Sequence, residues 1–197
     1  MKAVKTYLAL GDSYTIGEAV SAAESFPYQL KDTLVKQGHP VESIQIIAQT
    51  GWTTDELQAA IDVATLRTPY DLVTLLIGVN NQYRGYSVSN YGVEFEHLLR
   101  QAIVFAGADT ERVRVLSIPD WGVTPFAQKE GRVADKVAKK IDAFNAAAKE
   151  ISERLGVIFI DNTPHSRLAT TDAKLLAPDG LHPSGKMYAH WVQSLLA

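Results

Sequence analysis

Lys5-Thr6-Tyr7-Leu8-Ala9-Leu10-Gly11-Asp12-Ser13-Tyr14 decides how this chain is read. The mostly apolar residues 5–10 have the length and composition of a buried strand, and the chain then turns polar at Gly11-Asp12-Ser13. Short runs rich in Val, Ile and Leu recur at 44–48, 72–77, 113–118 and 157–160, about every 30 to 40 residues. Helix-period segments lie at 27–36, 54–66, 92–106, 133–155 and 186–196. This alternation predicts an α/β fold built on a five-stranded, mostly parallel sheet. Thr53 or Thr54 is placed to cap the second helix, Gly107 and Gly156 to stop the third and fourth, and Ser184 to cap the last.

The chemistry-bearing residues all fall just beyond a strand. Ser13 follows the first, Gly51 the second, Asn80 the third and Trp121 the fourth; Asp179 and His182 follow the fifth. In an open parallel sheet those strand ends share one edge, and ligands bind in the crevice there. Residues far apart in sequence are therefore expected to meet.

A serine hydroxyl is a poor nucleophile until an imidazole takes its proton and a carboxylate orients that imidazole. The segment Asp179-Gly180-Leu181-His182-Pro183 supplies both helpers on one loop. Pro183 biases His182 toward extended backbone, and Asp179, three residues earlier, can reach Nδ1 while Nε2 faces Ser13. A Gly-x-Ser-x-Gly elbow is not matched, because Thr15 stands where the second glycine belongs. The other histidines, His39, His97, His165 and His190, read as surface or structural residues. No His-x-x-x-His pair or comparable ligand set is seen, so no metal and no cofactor is expected.

Acyl transfer also needs donors for a developing oxyanion. Gln49-Thr50-Gly51-Trp52-Thr53 offers a glycine N–H after the second strand, and Gly78-Val79-Asn80-Asn81 offers an amide after the third.

In these four blocks the chain resembles the SGNH hydrolase superfamily, the GDSL esterases and lipases, with markers at Ser13, Gly51, Asn80 and His182. A lone Gly-Asp-Ser is common in turns; four markers at successive strand ends carry the resemblance, which spans nearly the whole chain. It implies a three-layer α/β/α, flavodoxin-like sandwich over residues 1–197 as one domain. It also implies Ser13 as nucleophile, His182 as base and Asp179 as third triad member. The oxyanion donors would be the Ser13 and Gly51 N–H groups and the Asn80 side chain. Two departures stand out: Tyr14 replaces the leucine of Gly-Asp-Ser-Leu, and Asn81 replaces the usual aspartate, removing a carboxylate from the network that positions Asn80.

Asp12, Ile16, Trp52, Asn81, Tyr83, Trp121 and Phe126 are candidate substrate-binding residues, the aromatics offering an apolar acyl or alcohol pocket. Arg84 can meet a phosphate or carboxylate, or stay solvated. Segments 81–84 and 119–126 are similar to those of lysophospholipase-like bacterial enzymes. The expected function is a serine esterase acting on a small-molecule carboxylic ester through an acyl-enzyme. Acyl transfer to an alcohol, carbohydrate deacetylation and a non-catalytic binding module are the alternatives.

The 197 residues are 46% hydrophobic, enough for one core. A net charge of −3 with scattered Lys and Arg offers no stripe for nucleic acid. Lys136, Lys139, Lys140, Lys149 and Glu150 read as an ordinary solvated helix face. With no cysteine, disulfides, thiolate ligands and a cysteine nucleophile are excluded. Residues 1–10 hold too short an apolar run for a signal peptide, and no run reaches the roughly 20 residues of a spanning helix, so a cytoplasmic protein is expected.

Overall fold

The computed structural model describes residues 4–197; the first three residues of the segment read as lacking an export signal lie outside them. Five strands, β1 (Thr6–Gly11), β2 (Ser43–Ala48), β3 (Leu72–Leu76), β4 (Val113–Leu116) and β5 (Ile158–Ile160), form one sheet in the order β2-β1-β3-β4-β5. All pairings are parallel. The chain reverses direction across the sheet between β1 and β3, which makes a crevice at their carboxyl ends. Burial follows position: every residue of β3 and residues 7–11 of β1 are buried, whereas β2, at an edge, carries Ser43 and Gln45 and is largely half-exposed. The central strands thus read as unbroken apolar runs because both faces are covered.

The helices are α1 (Ser13–Ile16), α2 (Phe26–Lys36), α3 (Thr54–Val63), α4 (Val79–Tyr83), α5 (Val88–Phe105), α6 (Pro125–Lys129), α7 (Ala134–Arg154), α8 (Thr163–Arg167) and α9 (Gly185–Leu196). The α2 and α9 helices pack together, while α5 packs on both α3 and α7. This gives the α/β/α sandwich expected from the sequence.

Most helix ends lie where the residues place them. Thr53 closes a capping box with Glu56, and the Ser184 hydroxyl accepts the Met187 N–H. Two boundaries differ. The α5 helix begins at Val88 rather than 92, because Ser87 accepts the Asn90 N–H and starts the helix a turn earlier. Gly92, read as a boundary, lies inside the helix near Ile151 of α7. The α3 helix stops at Val63 instead of 66; Ala64 turns to extended backbone, and the Gln45 side chain donates to the Thr65 carbonyl.

The one-turn helices α1, α4, α6 and α8 were not foreseen, since a single turn shows no hydrophobic period. Their consequence is functional. Ser13 opens one of these helices, and Asn80 is the second residue of another.

Candidate active site

Ser13 is set by its neighbours on both sides. The Asp12 carboxylate accepts the Tyr14 N–H at 3.0 Å and caps α1, and Gly17 ends that helix one turn later. The Ser13 Oγ then lies 3.1 Å from Nε2 of His182, 169 residues away in sequence. On the far side of the ring, Nδ1 is 2.5 Å from Asp179 Oδ2. The second carboxylate oxygen of Asp179 accepts the N–H groups of Leu181 and His182, each at 3.0 Å. Burial pushes the Asp179 carboxyl up, but the His182 ring and these two N–H groups outweigh it and hold the group below its ordinary value.

The loop carrying this pair is tied down at several points. The Ala177 N–H bonds the His182 carbonyl at 2.8 Å, and the Ser184 N–H bonds the Leu175 carbonyl at 2.9 Å. Phe126, at the start of α6, donates its N–H to the Gly180 carbonyl at 3.2 Å. A hydroxyl, an imidazole and a carboxylate are thereby linked in series on a braced frame.

Opposite them stand Gly51 and Asn80. Gly51 has φ 87°, a left-handed conformation that side chains rarely adopt. Gly78, with φ 126°, turns the chain from β3 into α4 where a Cβ would strike Tyr91. Asn80 Nδ2 donates to the Trp52 carbonyl at 2.9 Å, which uses one of its two amide hydrogens and leaves the other for the cleft. Among the described residues, neither the Ser13 N–H nor the Gly51 N–H has a hydrogen-bond acceptor.

These groups line a cleft of about 200 Å³. Ser13, Gly51, Asn80, His182, Tyr83, Trp121 and Phe126 are all on its wall, and Asp179 lies behind His182. The aromatic side is a connected set: Tyr83 and Trp121 meet edge to face at 5.4 Å, Phe126 is 6.3 Å from Trp121, and Trp121 Nε1 donates to Gln82 Oε1 at 2.7 Å.

Four candidate substrate residues are placed elsewhere. Asp12 is wholly buried beneath α1 as its cap. Ile16 ends α1 off the cleft, and Tyr14 of that helix lines it instead. Trp52 offers only its carbonyl, to Asn80, while its ring packs on the core. Asn81 is buried, accepting the Thr54 N–H at 3.1 Å and donating to Thr54 Oγ1 at 2.6 Å. Thr54 Oγ1 in turn donates to Glu94, so a carboxylate does support this network, from α5 rather than from position 81.

Arg84 is exposed, as a solvated loop arginine would be, but its guanidinium is engaged within the chain. Its Nη2 donates to the Gly51 carbonyl at 2.7 Å and its Nη1 to Glu56 at 3.2 Å, clamping the Gly51 loop onto α3. Thr50 on the same loop donates to Glu18. Tyr14, Thr50, Val79 and Leu181 also line the cleft and are not among the candidate residues, although each adjoins one of them: Ser13, Gly51, Asn80 and His182. Among the described residues no group of three or more His, Asp or Glu side chains is placed to hold a metal ion.

The family model of the GDSL-like lipases and acylhydrolases matches residues 9–190. The chain belongs to this GDSL-like lipase/acylhydrolase family. Membership makes it an acylhydrolase by class. Among curated proteins none matches the GDSL-like chain. Solved structures with the same fold include a lipase from a goat rumen metagenome, at 21% identity and TM-score 0.76, covering 98% of this chain and 96% of that one. A lipase/acylhydrolase from Enterococcus faecalis has 21% identity and TM-score 0.73, covering 98% and 93%. An acetylxylan esterase from Geobacillus stearothermophilus has 18% identity and TM-score 0.73, covering 100% and 95%. No helix among the described residues of this GDSL-like protein is long and apolar enough to cross a membrane.

Proposed function

We propose that this protein is a serine carboxylic-ester hydrolase that works through an acyl-enzyme, on an acyl ester or lysophospholipid-like substrate. The observation that carries the reading is the series Ser13 Oγ, His182 and Asp179, joined at 3.1 and 2.5 Å and opening onto a cleft with unclaimed N–H donors.

In this reading His182 Nε2 takes the proton as Ser13 Oγ attacks the ester carbonyl. Asp179 fixes the tautomer with Nδ1 protonated and stabilises the imidazolium that forms. The N–H groups of Ser13 and Gly51 and the second amide hydrogen of Asn80 receive the tetrahedral oxyanion. His182 then returns the proton to the leaving alcohol, and a water activated by the same ring hydrolyses the Ser13 acyl ester. The wall of Tyr83, Trp121 and Phe126 receives the apolar part of the substrate and keeps bulk water from it.

The test is Ser13→Ala with p-nitrophenyl acetate and a fluorophosphonate probe. The variant should lose turnover and labelling while its unfolding midpoint stays near that of the parent. Full turnover by the variant refutes the reading.

A further inference from the structure

A second depression lies across the aromatic wall from the cleft. It has a volume of about 430 Å³ and shares Tyr83 and Trp121 with the cleft, so those rings form part of the wall of both. Its far side is cationic: Arg132 precedes α7, and Lys136 and Lys140, one helical turn apart, present their ammonium groups from that helix. All three are exposed, and among the described residues none has a carboxylate within ion-pair distance. The Arg132 guanidinium rests 5.1 Å from the Tyr83 ring and 5.9 Å from the Trp121 ring, at the shared rim.

The sequence reading made Lys136 and Lys140 part of an ordinary solvated helix face. Folding leaves them exposed on that face and also gathers them with Arg132 around one concavity. In a chain whose net charge is −3, this is a local reversal of sign beside the site. A concave, unpaired cationic surface attracts anions and raises their local concentration, an effect that salt screens.

We propose that this groove is an anion-binding subsite, selecting small esters that carry a phosphate or carboxylate a few atoms from the scissile carbonyl. The apolar part of such a substrate lies against Tyr83 and Trp121, and its anionic group crosses the rim to Arg132, Lys136 and Lys140. Phosphate on the alcohol and carboxylate on the acyl group offer the same chemistry to these cations. The inference rests on the ester-hydrolase reading above.

The experiment compares matched pairs: butyryl-glycerol 3-phosphate against monobutyrin, and ethyl hydrogen succinate against ethyl butyrate. The readout is the ratio of kcat/KM for the anionic to the neutral partner, which cancels any loss common to both. At low ionic strength at least one pair should favour the anion by about tenfold, and that preference should shrink severalfold in about 0.5 M salt. In Lys136→Gln/Lys140→Gln the ratio should fall by about fivefold, and in Lys136→Glu/Lys140→Glu it should drop below one. Which pair responds tells whether the anion sits on the alcohol or the acyl side. Hydrolysis of the neutral esters with no anionic preference in either pair, or a ratio that the lysine variants leave within about twofold, overturns the subsite alone. Failure to hydrolyse any of the four esters overturns the hydrolase reading and the subsite with it.

Discussion

Asp179 holds His182 at two points: Oδ2 lies 2.5 Å from the ring nitrogen Nδ1, and Oδ1 accepts the residue's own backbone N–H at 3.0 Å. One carboxylate therefore orients both the loop and the ring it carries. An aspartate three residues before a histidine achieves this only when the intervening backbone is tightly turned, as it is here through Gly180 and Leu181.

Asp179→Asn tests that double hold. An amide placed here keeps the backbone bonds through its oxygen but presents an NH₂ group to Nδ1. That favours the tautomer with the proton on Nε2, which would donate to Ser13 when it should accept. The expected loss in kcat for p-nitrophenyl acetate is on the order of 10³- to 10⁴-fold, with little change in the unfolding midpoint. A loss under about tenfold would remove Asp179 from the proposed triad.

Asn80→Ala removes a single donor from the cleft wall. The expected outcome is a fall in kcat of about 10²- to 10³-fold, with a far smaller change in KM, because the bond strengthens only as the oxyanion forms. If kcat changes less than about threefold, the Asn80 amide serves to hold the Trp52 carbonyl and nothing more.

Arg84 makes an exposed ion pair with Glu56, which is expected to add little to stability, and a bond to the Gly51 carbonyl, which anchors the Gly51–Trp52 peptide beside the Gly51 N–H. Arg84→Ala should lower kcat by roughly tenfold, and Arg84→Lys should restore only part of it, since an ammonium cannot span both partners as a guanidinium does. The unfolding midpoint should hardly move. Equal losses in kcat and stability would mean that the residue acts through folding rather than through the loop.

Asp12 gives a pH-dependent signature. Its side chain is fully buried, and burial pushes the carboxyl up from 3.8 to about 7 against the lowering bond from the Tyr14 N–H. A raised carboxyl contributes stability at acid pH, below 3.8, and loses it as pH rises through about 7. Asp12→Asn keeps the helix cap but removes the titration. Its unfolding midpoint should exceed the parent's by more at pH 8 than at pH 5, as measured by thermal denaturation at the two values. A difference independent of pH would show that Asp12 does not titrate in this range.

Much of the fold was legible because its signals are local. The central strands β1 and β3 are covered on both faces, so their residues form unbroken apolar runs. Thr53 and Ser184 mark helix starts by their hydroxyls, and the four family blocks end at the sheet edge where a parallel fold must put them. The one-turn helices were not legible, since four or five residues show no period; yet α1 and α4 aim Ser13 and Asn80. Nor were the positions of Asp12, Trp52 and Asn81, because adjacency in sequence to a site residue says nothing of which way a side chain leaves a turn.

The sequence by itself determined the order of strands and helices and the identities of the hydroxyl, imidazole, carboxylate and amide at the strand ends, because strand and helix periods and cap chemistry are written in neighbouring residues. The tertiary structure alone decided that Ser13 and His182 stand 3.1 Å apart, that Glu94 supplies the carboxylate missing at position 81, that Arg84 clamps the Gly51 loop, and that Arg132, Lys136 and Lys140 face one groove. These relationships depend on the packing of distant segments across a twisted sheet, whose distances follow from the three-dimensional arrangement of the core and from no local pattern of residues.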